Sequence, residues 1–140
     1  MKIVIDSNRV IASLIKDSTT REILFDSYFE FFAPSFIKSE IYKYEKKIIG
    51  LTDSNKEDFE LLLDLIFERI KIIPERKYAE YINKISEETK DKKDLPYFAV
   101  CLLLKADGIW THDVHFQEQN RFRIFTNINM LKIINHTDIY

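Results

Sequence analysis

The sequence predicts a three-layer α/β/α sandwich around a mainly parallel sheet. Three observations lead there. Short apolar runs alternate with longer segments of helical period, which is the signature of strand–helix–strand units. The runs Lys2-Ile3-Val4-Ile5 and Ile109-Trp110-Thr111 are bounded by turn-forming residues, as buried strands are. Finally, 140 residues with 46% hydrophobic content are enough for one well-packed core, and only two Gly and three Pro leave no linker to divide it. Residues 1–140 are therefore expected to form a single domain.

Each element has its own local reason. Lys2 to Ile5 reads as a buried strand, after which Ser7 can cap a helix carrying Val10, Ile11, Leu14 and Ile15. Thr19-x-x-Glu22 has the form of a capping box and opens a helix with Ile23 and Leu24. An aromatic strand runs from Phe29 to Ala33. Pro34 and Ser35 then start a helix with Ile37, Ile41 and Tyr44 on one face and Glu40 on or beside it. Ser54-x-x-Glu57 is a second capping box, ahead of Phe59, Leu62, Leu63, Ile66 and Phe67 at amphipathic spacing. Ile70 to Ile73 is a strand ended by Pro74, and Tyr78, Tyr81, Ile82 and Ile85 mark the next helix. Asp94 is favoured over Asp91 as the start of the following helix, because Pro96 then falls in the first turn, where its missing N–H does no harm. Asp107-Gly108 is expected to stop that helix after Leu104. Ile109 to Thr111 and Arg123 to Thr126 are strands, and Asn127 can cap a last helix with Ile128, Leu131 and Ile134.

Composition excludes several classes. A net charge of −2 gives no global case for binding a polyanion, although the local clusters Lys43-Lys46-Lys47, Arg69-Lys71, Arg76-Lys77 and Lys90-Lys92-Lys93 could guide one as well as cover helix faces. Cys101 is the only cysteine, so no internal disulfide forms, and its apolar setting suits a buried thiol. There is no basic-apolar leader and no apolar stretch of bilayer length, so a soluble cytoplasmic protein with no membrane contact is expected. Without Gly-x-Gly-x-x-Gly, dinucleotide binding has no support.

Four acidic residues carry the functional signal. Asp6 and Asp113 follow predicted strands, Glu40 lies in the segment after the second strand, and Asp94 stands at a helix start. Carboxyl ends of parallel strands form one edge of the sheet, where ligand crevices open. Carboxylates gathered there repel each other unless a cation neutralises them, and hard cations such as Mg²⁺ and Mn²⁺ prefer oxygen ligands. The pattern points to metal-dependent phosphate chemistry. Each acid also has an ordinary reading: Asp6 and Asp94 as helix caps, Glu40 as an exposed helical residue, Asp113 as a turn residue. Asp107 and Asp138 have no such placement and read as surface or turn residues.

The ordered set resembles the PIN-domain family of Mg²⁺- or Mn²⁺-dependent ribonucleases, which includes many toxins of toxin–antitoxin pairs. The four motifs are Val4-Ile5-Asp6-Ser7-Asn8, Ser35 to Glu40, Asp91 to Ala99, and Trp110-Thr111-His112-Asp113-Val114-His115-Phe116. The resemblance implies a PIN-like fold and RNA as substrate. It further implies a catalytic set of Asp6, Glu40, Asp94 and Asp113, and one or two Mg²⁺ or Mn²⁺ ions on Asp6, Asp94 and Asp113. Glu40 and His115 are further candidate ligands, Glu40 also as the group positioning the attacking water. Asn8 and Thr111 would be supporting residues, and an antitoxin protein and a second copy of the chain are candidate partners. Phe116 reads as core, as a lid, or as a base-stacking ring. Two residues depart from the family pattern: His115 stands where an additional Asp is common, and Arg9 where an apolar residue is common. Arg9 reads as a surface residue or as a group holding a phosphate or a carboxylate. Two rival readings remain: a haloacid-dehalogenase-type phosphatase, which needs an Asp where this chain has Asn8, and a non-catalytic RNA- or partner-binding relative with the same fold.

Overall fold

The computed structural model describes residues 1–87 and 89–137; the expectation for Asp138 falls outside them. Five parallel strands form one sheet: β1 (Lys2–Ile5), β2 (Glu30–Pro34), β3 (Ile70–Ile73), β4 (Gly108–Trp110) and β5 (Ile124–Phe125). Their spatial order is β3-β2-β1-β4-β5. The helices are α1 (Ser7–Leu14), α2 (Ser18–Leu24), α3 (Phe36–Tyr42), α4 (Glu45–Thr52), α5 (Lys56–Phe67), α6 (Glu75–Ile85), α7 (Leu95–Leu104) and α8 (Asn127–Thr137), with a 3₁₀ turn at Val114–Glu118. This is the three-layer α/β/α architecture that the alternating pattern predicts.

Chain direction fixes the layers. From β1 the chain moves outward to β2 and β3, then returns across them to β4. Right-handed crossovers put the helices of these two journeys on opposite faces. α7 accordingly packs on β1, β2 and β4, with α6 against it, while α5 and α8 meet β3 and β5 and are joined through α1 and α2. α7 reads Leu-Pro-Tyr-Phe-Ala-Val-Cys-Leu-Leu-Leu and is apolar almost all round because it lies between the sheet and α6. Val4 and Ile109, paired neighbours on one face of the sheet, are fully buried together with Phe98 and Val100 of α7. Ile3, Ile5 and Trp110 are buried on the opposite face, where Trp110 Nε1 donates to Asn127 of α8. Each such side chain contributes roughly 1.5–3 kcal/mol of hydrophobic stabilisation.

The reversal of direction between β1 and β4 is a topological switch point. A crevice opens there, beyond the carboxyl ends of the strands. Both strands are short and tightly registered, Ile3 opposite Gly108 and Ile5 opposite Trp110, so the residues that follow them emerge side by side.

Several element ends differ from expectation. Asp6, not Ser7, caps α1, its side chain accepting from the Ser7 N–H. Asp17 caps α2 in place of Thr19, and Asn55 caps α5 in place of Ser54, whose hydroxyl bonds Thr52 instead. In each case a neighbouring amide or carboxylate oxygen reaches the open helix N–H groups, and such residues cap at least as well as hydroxyls do. α8 is capped by Thr126 rather than Asn127: Thr126 Oγ1 accepts from the Asn129 N–H (3.4 Å) while Asn129 Oδ1 accepts from the Thr126 N–H (2.9 Å). Asn127 turns inward. α7 stops at Lys105, which adopts φ 51°, and not at Asp107-Gly108. Gly108 begins β4, where a Cβ would sit 2.3 Å from Phe125 Cε2 and 2.7 Å from the Arg123 carbonyl; β5 can approach only because that position has no side chain. α4 is an element the sequence reading did not mark.

Asp107 lies at the amino end of β4, accepting from the Lys2 N–H (2.9 Å), away from the crevice. Cys101 is buried and unpaired, its thiol pushed up to about 12 chiefly by burial, which leaves it inert. Among the described residues no helix is long and apolar enough to cross a membrane.

Candidate functional site

A cavity of about 390 Å³ occupies the crevice, lined in part by Asp6, Glu40, Asp94 and Asp113. β1 delivers Asp6, α3 carries Glu40 inward, α7 begins just after Asp94, and Asp113 follows β4. The four widely separated acids thus meet at one edge of the sheet.

Asp6 is the most constrained. Its N–H donates to the Trp110 carbonyl (3.1 Å), tying the end of β1 to β4. Oδ1 accepts from the Ser7 N–H (2.7 Å), and Oδ2 accepts from the Thr111 hydroxyl (2.7 Å). Burial raises its pKa to about 6, with the Glu40 and Asp113 charges adding to the rise and the Thr111 and Ser7 hydrogen bonds opposing it. Thr111 is fully buried, and its Oγ1 also accepts from Asn8 Nδ2 (3.1 Å) and from the Asp113 N–H (3.0 Å).

Asp94 is raised further, to about 7, first by burial and then by the charges of Asp91, Asp113 and Asp6, with His115 pulling the other way. Its side chain makes no cap bond to α7, and Oδ2 is buried with no hydrogen-bond partner. A buried carboxylate oxygen left bare is costly unless something satisfies it. Asp91 starts the turn before α7, its carboxylate accepting from the Lys93 N–H (3.0 Å) and its carbonyl from the Asp94 N–H (3.1 Å).

Glu40 is half-buried and its pKa is raised by desolvation, a rise that its hydrogen bond from the Tyr97 hydroxyl opposes. Tyr97 is buried one helical turn after Asp94, and burial beside Asp6 and Glu40 drives its own pKa far above the usual phenol value. It therefore acts as a fixed donor holding Glu40 toward the cavity. Asp113 accepts from the His115 N–H (3.0 Å) and so starts the 3₁₀ turn. Phe116 is buried against Tyr97 and Phe98 while lining the cavity wall, which makes it core and not a mobile lid.

His115, near enough to oppose the rise at Asp94, does not line this cavity. Its exposed ring has Nδ1 3.5 Å from Glu118 and borders a separate depression with Thr89, Lys90, Asp91 and Glu118. Arg9 is not on the surface: it is 8% exposed and its guanidinium bonds Asn8, Thr20 and Asn127. Arg69 likewise serves structure, donating to the carbonyls of Leu24, Asp26 and Phe29. Of the basic clusters, only Lys47 and Lys93 reach the cavity; the apolar wall opposite the acids comprises Ile11, Ile15, Tyr44 and Ile48.

The all-oxygen donor set, the raised carboxyl groups and the bare Asp94 Oδ2 fit a hard divalent cation. Among the described residues no three Asp, Glu, His or Cys side chains already form a closed ligand cluster. Instead Asp6 is held by Thr111 and Glu40 by Tyr97, so each of these two carboxylates is steadied by its own hydroxyl donor.

The family model of the PIN domain matches residues 4–120. The chain belongs to the PIN-domain family. PIN domains are generally nucleases, typically bind divalent metal ions and act on nucleic acid, so the family points to nuclease-type hydrolytic function for this cavity. Comparison with curated proteins gives no match. The phosphatase rival needs a free acid/base where Asn8 stands, and that amide is committed on both sides, to Arg9 and to Thr111.

Sequence reasoning named Tyr97 within a motif but gave it no role. Its spacing of three from Asp94 on one helix, which puts both on the same face, was the available signal. Lys47 was legible only as one member of the Lys43-Lys46-Lys47 cluster, and which lysine lines the cavity was not, because α4 was not marked although Tyr44 and Ile48 stand four apart.

Proposed function

We propose that this PIN domain is a metal-dependent endoribonuclease, acting as one domain over residues 1–140. The observation that carries the reading is the convergence of four carboxylates on one cavity where Asp94 Oδ2 is buried and bare. Asp6, Asp94 and Asp113 would hold one or two Mg²⁺ or Mn²⁺ ions, with Glu40 as a further ligand. Bound there, the cation supplies Lewis acidity toward the phosphodiester and makes water a better nucleophile. Glu40, steadied by Tyr97, orients the attacking water on the cavity side. Lys47 and Lys93 at the rim draw in phosphate, and the wall of Ile11, Ile15, Tyr44 and Ile48 takes the apolar faces of base and ribose. Asn8 and Thr111 keep the Asp6 carboxylate in place. RNA as substrate, a role as a cytoplasmic toxin with an antitoxin partner, and a homodimer are readings supported by family resemblance.

The test is cleavage of a labelled RNA with Mn²⁺ or Mg²⁺, by the wild type and by Asp94→Asn. Loss of activity in EDTA and in Asp94→Asn, with the fold retained by circular dichroism, is expected. Equal cleavage in EDTA would refute the proposal, and release of phosphate from monoesters with RNA left intact would favour a phosphatase.

A further inference from the structure

Behind the carboxylate cavity lies a polar network that runs from Arg9 on α1 to Asp6. Arg9, at the third position of α1, is buried, yet among the described residues the only ion pair within 4 Å is His115–Glu118. The carboxylates whose charge Arg9 feels, Asp17 first and then Asp6, lie beyond ion-pair contact. A buried guanidinium without a contacting carboxylate must find its hydrogen bonds elsewhere, and its surroundings show where it is directed.

Arg9 Nε donates to Asn8 Oδ1 (3.0 Å), Asn8 Nδ2 donates to Thr111 Oγ1 (3.1 Å), and the Thr111 hydroxyl donates to Asp6 Oδ2 (2.7 Å). All three donors point the same way. We infer that Arg9 is a positioning residue that fixes the Asp6 carboxylate through Asn8 and Thr111.

The chemistry leaves one arrangement. A guanidinium can only donate, so Asn8 must turn its carbonyl to Arg9 and its amino group to Thr111. Thr111 Oγ1 then accepts from Asn8 and from the Asp113 N–H (3.0 Å), which uses both its acceptor sites. Its one proton is left for Asp6. Reversal of the Asn8 amide would put N–H against N–H at Arg9 and lone pair against lone pair at Thr111, freeing the hydroxyl to turn away. Polarisation by the cation strengthens each bond along such a chain.

The far side of Arg9 is anchored as firmly. Nη1 contacts Thr20 Oγ1 (3.3 Å) and Asn127 Oδ1 (3.4 Å). Asn127 is itself fixed, accepting from Trp110 Nε1 (2.9 Å) and donating to Thr20 Oγ1 (3.0 Å), while its backbone N–H donates to His112 Nε2 (3.0 Å). Arg9 thus links α1, α2 and α8 to the end of β1. The inference rests on the nuclease reading for what Asp6 does, though not for how it is held.

The test combines two readouts. Mn²⁺ affinity is measured by calorimetry for wild type, Arg9→Met, Asn8→Ala and the double variant, alongside kcat and KM on RNA. Each single change should weaken Mn²⁺ binding or lower kcat by about 10- to 100-fold, the range for loss of a residue that orients a ligand, with KM for RNA unchanged. The double variant should be no worse than the poorer single one, because both cut the same chain. Removal of a nearby positive charge alone would instead tighten Mn²⁺ binding. Independently of metal, the Asn8 side-chain amide in ¹H–¹⁵N spectra should exchange slowly in wild type and quickly in Arg9→Met. If Arg9→Met folds poorly, Arg9→Lys, which keeps the charge but lacks the planar fork, should shift all readouts in the same direction. Additive penalties, tighter Mn²⁺ binding, or an Asn8 amide unaltered in both Arg9 variants would overturn the inference. Failure of the wild type to bind Mn²⁺ would overturn the nuclease reading instead, and the Asn8 amide would still decide the geometry.

Discussion

Removing all divalent metal should make the protein less stable as the pH rises from about 5 to about 8, the reverse of ordinary acid denaturation. The cause is the pair Asp6 and Asp94, whose folded pKa values rise from 3.8 to about 6 and about 7. A carboxyl group with a raised pKa holds its proton more tightly when folded than when unfolded. Its stabilisation is complete below the unfolded value near pH 4 and is lost as pH climbs through the folded value. Taken in full, shifts of about two and about three units would be worth roughly 3 and 4 kcal/mol. The two charges repel each other, so part of that repulsion enters both shifts, and solvent in the cavity screens it further. Roughly 3 kcal/mol for the pair remains, which for a chain of this size lowers Tm by about 10 °C.

The assay is thermal unfolding in EDTA at several pH values, repeated with millimolar Mn²⁺. A cation that binds only the folded carboxylates adds stability, most at the higher pH, where no proton competes with it. Asp94→Asn should flatten the metal-free pH dependence and raise Tm at about pH 8, since it removes the less tolerable charge. A Tm that is level or rising between about pH 5 and about pH 8 in EDTA would refute the idea that burial and mutual repulsion govern these groups, as would an equal Mn²⁺ effect at both ends.

Two further changes probe the frame around the site. Gly108→Ala should destabilise the protein by roughly 1–3 kcal/mol in urea denaturation, because the added methyl meets Phe125 at 2.3 Å and the Arg123 carbonyl at 2.7 Å and must push β5 away; unchanged stability would mean that β5 moves freely. His115→Asp should leave the ratio of Mn²⁺- to Mg²⁺-supported activity within about twofold of wild type, as expected for an exposed side chain outside the cavity; a larger shift would bring residue 115 into the ligand set.

What the sequence disclosed divides along a physical line. Strands, most helices and the acidic set were legible because each depends on local pattern: apolar runs, helical period, and acids at the ends of both. Capping was legible only to within two residues, since Asp17 and Asn55 compete with Thr19 and Ser54 for the same open N–H groups and the geometry of the turn decides. α4 escaped because Glu45 to Thr52 buries only Ile48 fully and so shows little period. His115 was a candidate ligand because it stands where the family pattern commonly has an Asp; only the structure shows that the 3₁₀ turn capped by Asp113 sets its ring 3.5 Å from Glu118.

The Arg9 network was beyond reach for a different reason. Its members are residues 8, 9, 20, 111 and 127, and no periodicity relates them. Arg9 in an apolar helix face looked like either a surface residue or a phosphate hook, because sequence shows charge without showing what surrounds it. The structure supplies the surroundings: Thr20 and Asn127, brought in by α2 and α8, take the guanidinium edge that a carboxylate would normally fill. Neutral acceptors satisfy its hydrogen bonds while the Asp17 and Asp6 charges act on it from beyond contact, so the guanidinium keeps Nε free to hold the Asn8 carbonyl. A carboxylate in place of Asn127 would pair with Arg9 and draw the guanidinium away from Asn8. The choice of amides and hydroxyls around Arg9 is thus as much a part of the site as the four acids in front of it.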